Sequence, residues 1–276
     1  MPNAKTADLA PGYKIIALGY AGAGKTTQLL TFQGKKFGYL FDPNSINSLQ
    51  GYDVDYEEFY PRDINLDVKS LSKEKNDKKY KPTMETTSAE VYQEWEKDFE
   101  DRISKGFFDP YDWIMLDSFT TLSDLVMDEV LRLNGRPDQW PNQDDYGPQM
   151  LTLKNIVRTL TGMGKNVYVT GHLELQQDDL SKKIYQTPVM TGKLKAKLPL
   201  MFSEVLVFEA GTTSKGESNF VMQTKPTREI PLVRTSIKGL ELYEDITIDW
   251  NKDPEGQGLG GILQWWEAQK KGGNKK

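Results

Sequence analysis

From Lys14 to Leu30 the chain reads KIIALGYAGAGKTTQLL, and few backbone arrangements accommodate that order of residues. Ile15, Ile16, Ala17 and Leu18 form a short apolar run, the pattern of a parallel strand buried on both faces. Gly19 to Thr26 then matches the phosphate-loop pattern G-x-x-x-x-G-K-[ST] in full. Thr27, Gln28, Leu29 and Leu30 read as the first turns of a helix. Gly19, Gly22 and Gly24 let the backbone curl around an anion without Cβ clashes. The N–H groups of the whole segment, Gly19, Tyr20, Ala21, Gly22, Ala23, Gly24, Lys25, Thr26 and Thr27, then line its concave side. Lys25 supplies a cation for the outer phosphates, the Thr26 hydroxyl is a ligand for Mg²⁺, and the helix N-terminus adds partial positive charge. Strand, loop and helix in this order imply a site for a nucleoside triphosphate.

The rest of the composition narrows the field. A chain of 276 residues suits one α/β domain with decoration, and 37% hydrophobic against 27% charged residues allows a packed core under a solvated surface. There is no cysteine and a single histidine, His172, so disulfide frameworks, thiolate metal sites and histidine-built zinc centres are excluded. No signal peptide or apolar run of membrane length is evident, so a soluble, cytoplasmic protein without a membrane partner is expected. The net charge of -5 gives no overall pull towards nucleic acid, and any such contact must come from local basic patches.

Taken in order, residues 1–12 are a polar, flexible lead. Residues 13–240 form the core domain, and 241–276 a small β-rich C-terminal extension ending in a solvated tail. Strands are expected at 35–41 and 54–60, followed by a basic surface loop at 68–81. A capping box of Thr87 and Glu90 opens a helix to about Ser104, with Val91, Trp95 and Phe99 on one face. Next comes DWIMLDS. An acid such as Asp117 at the end of an apolar strand completes the Mg²⁺ site opposite Thr26. Helices are expected at 121–133 and 150–160 and a strand at 165–170, which delivers His172 to the ligand edge of an open sheet as a γ-phosphate sensor. Glu174 follows as a carboxylate able to polarise water.

The stretch 181–197 holds Lys182, Lys183, Lys193, Lys195 and Lys197 and no acidic residue, with Tyr185 available to stack on a base. This reads as a DNA-facing loop, over 173–197 when counted from the sensor strand. A hairpin follows at 202–209 and 219–224, and beyond it Lys225, Arg228 and Arg234 are candidates to reach a neighbouring subunit's phosphates. A terminal helix is expected over 259–269.

The series GYAGAGKTT, DWIMLDS, DYGPQM, VYVTGH, KLKAKLPLMFSEVLVF and VRTS, between Tyr13 and Gly239, resembles a RecA-type ATPase core. More closely it resembles the short bacteriophage RecA-like ATPases that accompany single-strand annealing, the RecA-core branch of the Sak recombination proteins. The resemblance implies a mostly parallel sheet flanked by helices, and ATP hydrolysis coupled to single-stranded DNA binding. It also implies assembly into a homo-oligomeric ring or filament, a single-strand-binding protein as partner, and the cytoplasm of a phage-infected bacterium as location. By position His172 matches the γ-phosphate sensor, 181–197 overlaps the DNA-facing loop, and Lys225 falls where bacterial recombinases place a cation acting across subunits. One departure stands out. Recombinases carry a water-activating glutamate just after the second core strand, where this chain reads Phe41-Asp42-Pro43-Asn44. Asp42 or Glu174 is left to fill that role, or hydrolysis is slow. Two other readings remain open at this level: a helicase-loader or packaging-type DNA motor, and a nucleotide-gated binding module with little hydrolysis.

Overall fold

The computed structural model describes residues 12–61, 87–179, 182–192 and 194–273. The lead at 1–11, the basic stretch at 68–81 and Lys193 lie outside the described residues. In chain order the strands are β1 (Lys14–Gly19), β2 (Lys36–Leu40), β3 (Asp55–Glu58), β4 (Trp113–Asp117), β5 (Asn166–Gly171), β6 (Leu173–Gln177), β7 (Ile184–Pro188), β8 (Glu204–Thr212), β9 (Ser218–Gln223) and β10 (Tyr243–Asp245). The helices are α1 (Thr87–Ser104), α2 (Phe119–Leu133), α3 (Tyr146–Gly162), α4 (Leu194–Lys197) and α5 (Gly258–Gly273).

Eight strands make one sheet in the order β10-β9-β8-β1-β5-β4-β2-β3. The pairings from β3 across to β8 are all parallel, and β9 and β10 close the sheet antiparallel. This is the mostly parallel, helix-flanked sheet that the sequence implies. The apolar run of β1 explains its central place. Ile15, Ile16, Ala17 and Leu18 are fully buried, and alternate residues feed two separate cores. Ile16 and Leu18 pack with Trp95 and Phe99 of α1, Leu122 and Leu125 of α2, and Leu153 and Val157 of α3. Ile15 and Ala17 pack with Leu29, Leu30 and, from α5, Leu259 and Leu263. A strand covered on both faces has no polar side to offer, hence the uninterrupted hydrophobic run.

Three expectations need correction. The helix after the phosphate loop is only a 3₁₀ segment, Thr26–Thr31, and Phe32 is already extended. Its end abuts α5: the N–H of Gly256 donates to the Thr31 carbonyl at 2.9 Å, and that of Gly260 to the Thr31 hydroxyl at 2.9 Å. Further helix along that line would collide with α5. The C-terminal extension is helical rather than β-rich, for β10 spans three residues whereas α5 spans 16. Leu259 and Leu263, one turn apart, bury one face of α5 against the sheet. Finally, 181–197 is not a plain loop. β7 pairs antiparallel with β6 as a separate two-stranded ribbon, anchored where the Gln186 N–H donates to the Glu229 carbonyl at 2.8 Å. Among the described residues, no helix is long and apolar enough to cross a membrane.

Candidate nucleotide-binding site

Parallel strands bring their carboxyl ends to one edge, and the candidate residues converge there. The loop 19–26 leaves β1, Asp42 follows β2, Asp117 ends β4 and His172 follows β5. Between them lies a cavity of about 440 Å³, lined by Ala21 to Gln28, Asp42 to Ser45, Ser48, Asp117 and His172. Phe220, Ile246, Ile248 and Trp250 line it as well.

The loop is held from several directions. Gly22 and Gly24 both take φ of +78°, the left-handed region that side chains disfavour. Thr27 donates its hydroxyl to the Gly24 carbonyl at 2.8 Å, and Tyr168 of β5 donates to the Lys25 carbonyl at 2.7 Å. Gly19 and Tyr20 do not line the cavity. Their carbonyls receive the Lys25 ammonium at 2.9 and 2.8 Å, so these two residues position the lysine. Burial lowers the Lys25 pKa, opposed by the nearby Asp117 and Asp42 carboxylates.

Thr26 donates its hydroxyl to Asp117 Oδ2 at 2.8 Å, and the Thr170 hydroxyl donates to Oδ1. Asp117 is almost completely buried, and burial raises its pKa above the ordinary carboxylate value. The Asp42 charge adds to that rise, against the hydrogen bonds from Thr170 and Thr26. A hydroxyl and a carboxylate oxygen side by side are hard donors of the kind Mg²⁺ prefers. The pair therefore fits the ion expected there.

Asp42 lies across the cavity. Ser118 donates to its Oδ1 at 3.0 Å, and the Thr121 hydroxyl donates to the same oxygen. His172 Nε2 stands 3.6 Å from Oδ2. Burial raises the Asp42 pKa, but the neighbouring His172 and the hydroxyls of Thr121 and Ser118 outweigh it and leave the carboxyl below its usual value. His172 is fixed in turn, its backbone N–H donating to the Thr120 hydroxyl at 3.0 Å.

Other expected residues lie apart. Glu174, on β6, is ion-paired with Lys195 and does not line the cavity. It is not in place to polarise water there, because the strand after His172 carries it onto the ribbon. Lys182, Lys183 and Lys197 are exposed, and Tyr185 is partly buried. Lys225 and Arg228 are exposed outside the cavity. Arg234 turns its guanidinium back onto the carbonyls of Pro199 and Phe202. That bond within the chain commits the side chain that was expected to reach a neighbour.

Sequence reasoning missed Thr121, Thr170 and Tyr168, which fix the acidic residues and the loop. A polar residue near the end of an apolar strand, as in VYVTGH, was the one signal available for Thr170. Phe220, Ile246, Ile248 and Trp250 gave none, for nothing local shows that residues so distant in sequence return to the loop.

The sequence profile described as AAA domain matches residues 11–231. Among solved structures, the chain is similar to the flagellar accessory protein FlaH of Methanocaldococcus jannaschii, at 14% identity over 87% of each chain with a TM-score of 0.43. It is also similar to a KaiC-like protein of Pyrococcus horikoshii OT3, at 12% identity over 87% of each chain with a TM-score of 0.41. An ATPase from the type III secretion system of pathogenic bacteria matches at 11% identity over 74% of this chain and 53% of its own, with a TM-score of 0.35. A comparison with curated proteins finds no match.

Proposed function

This chain belongs to the AAA domain family, and from that premise we propose that it binds ATP with Mg²⁺ and hydrolyses it, with turnover coupled to single-stranded DNA. The observation that carries the first half is the 2.8 Å contact between Thr26 and Asp117 beside the Lys25 ammonium. It joins the two halves of a phosphate-and-metal site that lie 91 residues apart in sequence. Thr26 and Asp117 would hold Mg²⁺, which would supply charge neutralisation at the phosphates. Lys25 leaves the loop carbonyls for the phosphates and stabilises charge on the transferring oxygens. His172, at the mouth, senses the γ-phosphate. Asp42, ionised and held through one oxygen, is the best-supported acceptor for the proton of the attacking water.

The DNA half rests on the ribbon that begins directly after His172. Its tip carries exposed Lys182 and Lys183, and exposed Lys197 follows in α4. Cations on a ribbon joined to the phosphate sensor suit a strand held by its backbone and answerable to nucleotide state. Strand annealing, a homo-oligomeric ring or filament with Lys225 and Arg228 facing a neighbour's phosphates, and a single-strand-binding protein as partner complete the reading. The resemblance to phage annealing ATPases supports these parts.

A second reading has its own observation. Aspartate stands where a glutamate is usual, tied by Ser118 and Thr121, and Glu174 is paired elsewhere. These features favour a binding module that uses ATP to assemble and turns over little. The deciding experiment is ATP turnover with and without single-stranded DNA, beside Lys25→Ala. DNA-stimulated turnover lost in the variant supports the first reading. Binding without turnover under every condition leaves the second.

A further inference from the structure

The cavity lining is of two chemical kinds. One comprises Lys25, Thr26, Asp42, Asp117 and His172. The other is apolar and is built by chain that returns from far along the sequence. Three of its residues, Ile246, Ile248 and Trp250, fall outside the family-matched segment 11–231. We propose that this C-terminal segment supplies the nucleobase subsite, with the Trp250 indole and the Tyr52 ring as the stacking platform and Phe220, Ile246 and Ile248 as the wall behind it. The inference rests on the nucleotide-binding reading above and deepens it.

The wall is fixed. The Phe220 ring lies so close to the loop that a Cβ on Gly24 would stand 3.1 Å from it. The Ile246 N–H donates to the Phe220 carbonyl at 2.9 Å, and the Gln28 amide donates to the Ile246 carbonyl at 2.9 Å. Gln28 therefore ties the wall to the helical turn that follows the phosphate loop. Ile246 and Ile248 are buried.

The backbone of the platform is fixed too, and its two rings, tilted 50° to one another, are each partly exposed. Just before Trp250, the Asp249 N–H donates to the Gln257 side chain at 2.7 Å, and the Asp249 carbonyl accepts from the same amide at 3.1 Å. Lys252 pairs with the Asp249 carboxylate at 2.9 Å. The Trp250 side chain nevertheless leaves the residue 53% exposed, and Tyr52, its ring centroid 6.2 Å away, is 40% exposed. A half-exposed indole on a held backbone, lining a cavity, offers its free area to a flat ring. The polar residues take the phosphates of the same molecule. Among the five residues only the tyrosine hydroxyl and the indole N–H can hydrogen-bond through a side chain. The base is therefore gripped by stacking area, and purines are held better than pyrimidines.

The test compares binding of ATP, CTP and base-free tripolyphosphate, each with Mg²⁺, to the full chain and to Trp250→Ala, Trp250→Phe and Tyr52→Ala. Wild type is expected to bind ATP more tightly than CTP. Trp250→Ala should weaken ATP on the order of tenfold or more, the range for losing a base–aromatic stack, and leave tripolyphosphate unchanged. Trp250→Phe should keep most of the affinity for ATP. Tyr52→Ala should repeat the alanine pattern in a smaller degree, which keeps the test open where Trp250→Ala does not fold. Unchanged ATP affinity in the folded alanine variants overturns the proposal. Equal weakening of ATP and tripolyphosphate also overturns it, because Trp250 would then support the loop instead of the base. Failure of wild type to bind either ligand is a different result, and it sinks the nucleotide-binding reading itself.

Discussion

The imidazole Nε2 of His172 stands 3.6 Å from Oδ2 of Asp42, across the mouth of the phosphate cavity. Two hydroxyls donate to the other Asp42 oxygen, which leaves Oδ2 facing the imidazole. Of the two carboxylates that the sequence offers as base, Asp42 lines the cavity and Glu174 does not.

Asp42→Asn is expected to lower turnover on the order of 10²-fold or more, the usual scale for losing a general base, with little change in KM. Glu174→Gln should leave turnover within about twofold of wild type, since that carboxylate is paired with Lys195 outside the cavity. Steady-state ATPase kinetics decide the matter. The reverse ranking would move the base onto the ribbon.

The proposed DNA grip predicts a salt signature. Replacing Lys182 and Lys197, both exposed, by alanine removes two phosphate contacts. The slope of log K against log salt should then shrink by about 1.4, roughly 0.7 per contact on a single strand. Titrations of a labelled oligonucleotide at several salt concentrations measure it. An unchanged slope would take these lysines out of the interface.

Gly260 sits so close to Thr31 that an added Cβ would meet the Thr31 carbonyl oxygen at 1.8 Å. A backbone oxygen cannot step aside as a side chain can. Gly260→Ala should therefore cost about 3 kcal/mol from overpacking and lower Tm by roughly 6–12 °C for a chain of this size. A thermal melt that matches wild type would mean that α5 can shift away from the phosphate-loop turn.

Asp128 on α2 is a pH-dependent weakness. Its pKa is pushed up to about 6, first by burial and then by Asp124 and Asp138, with a hydrogen bond from Ser88 opposing. The ordinary value is 3.8, so between the two the folded state binds the extra proton. The stability contributed by the neutral carboxyl is full below about pH 4 and is lost as pH rises through 6. Asp128→Asn removes this titration and keeps an oxygen for Ser88. The variant should melt a few degrees above wild type at pH 7, with the gap narrowing at pH 5. An equal gap at both pH values would assign the effect to packing instead.

The sequence by itself determined the phosphate loop, the acid at the end of β4 and the strands that carry them. Each is written in a contiguous run whose local physics leaves little choice: a doubly buried strand must be apolar, and an anion-cradling turn needs glycines at positive φ. Other features were decided only by the tertiary structure. Whether Asp42 or Glu174 faces the cavity depends on where a chain reverses after β5, and both candidates look alike as isolated carboxylates. The length of the helix after the loop was settled by α5, some 230 residues later, pressing Gly260 against Thr31. Arg234 read as a free cation until its carbonyl partners came within reach. The apolar wall of Phe220, Ile246 and Ile248 is tied to the loop because a buried glutamine, Gln28, binds the carbonyl of Ile246 and the N–H of Leu259. Contacts between distant segments are made by packing, and no local pattern of residues encodes which distant partner will be met.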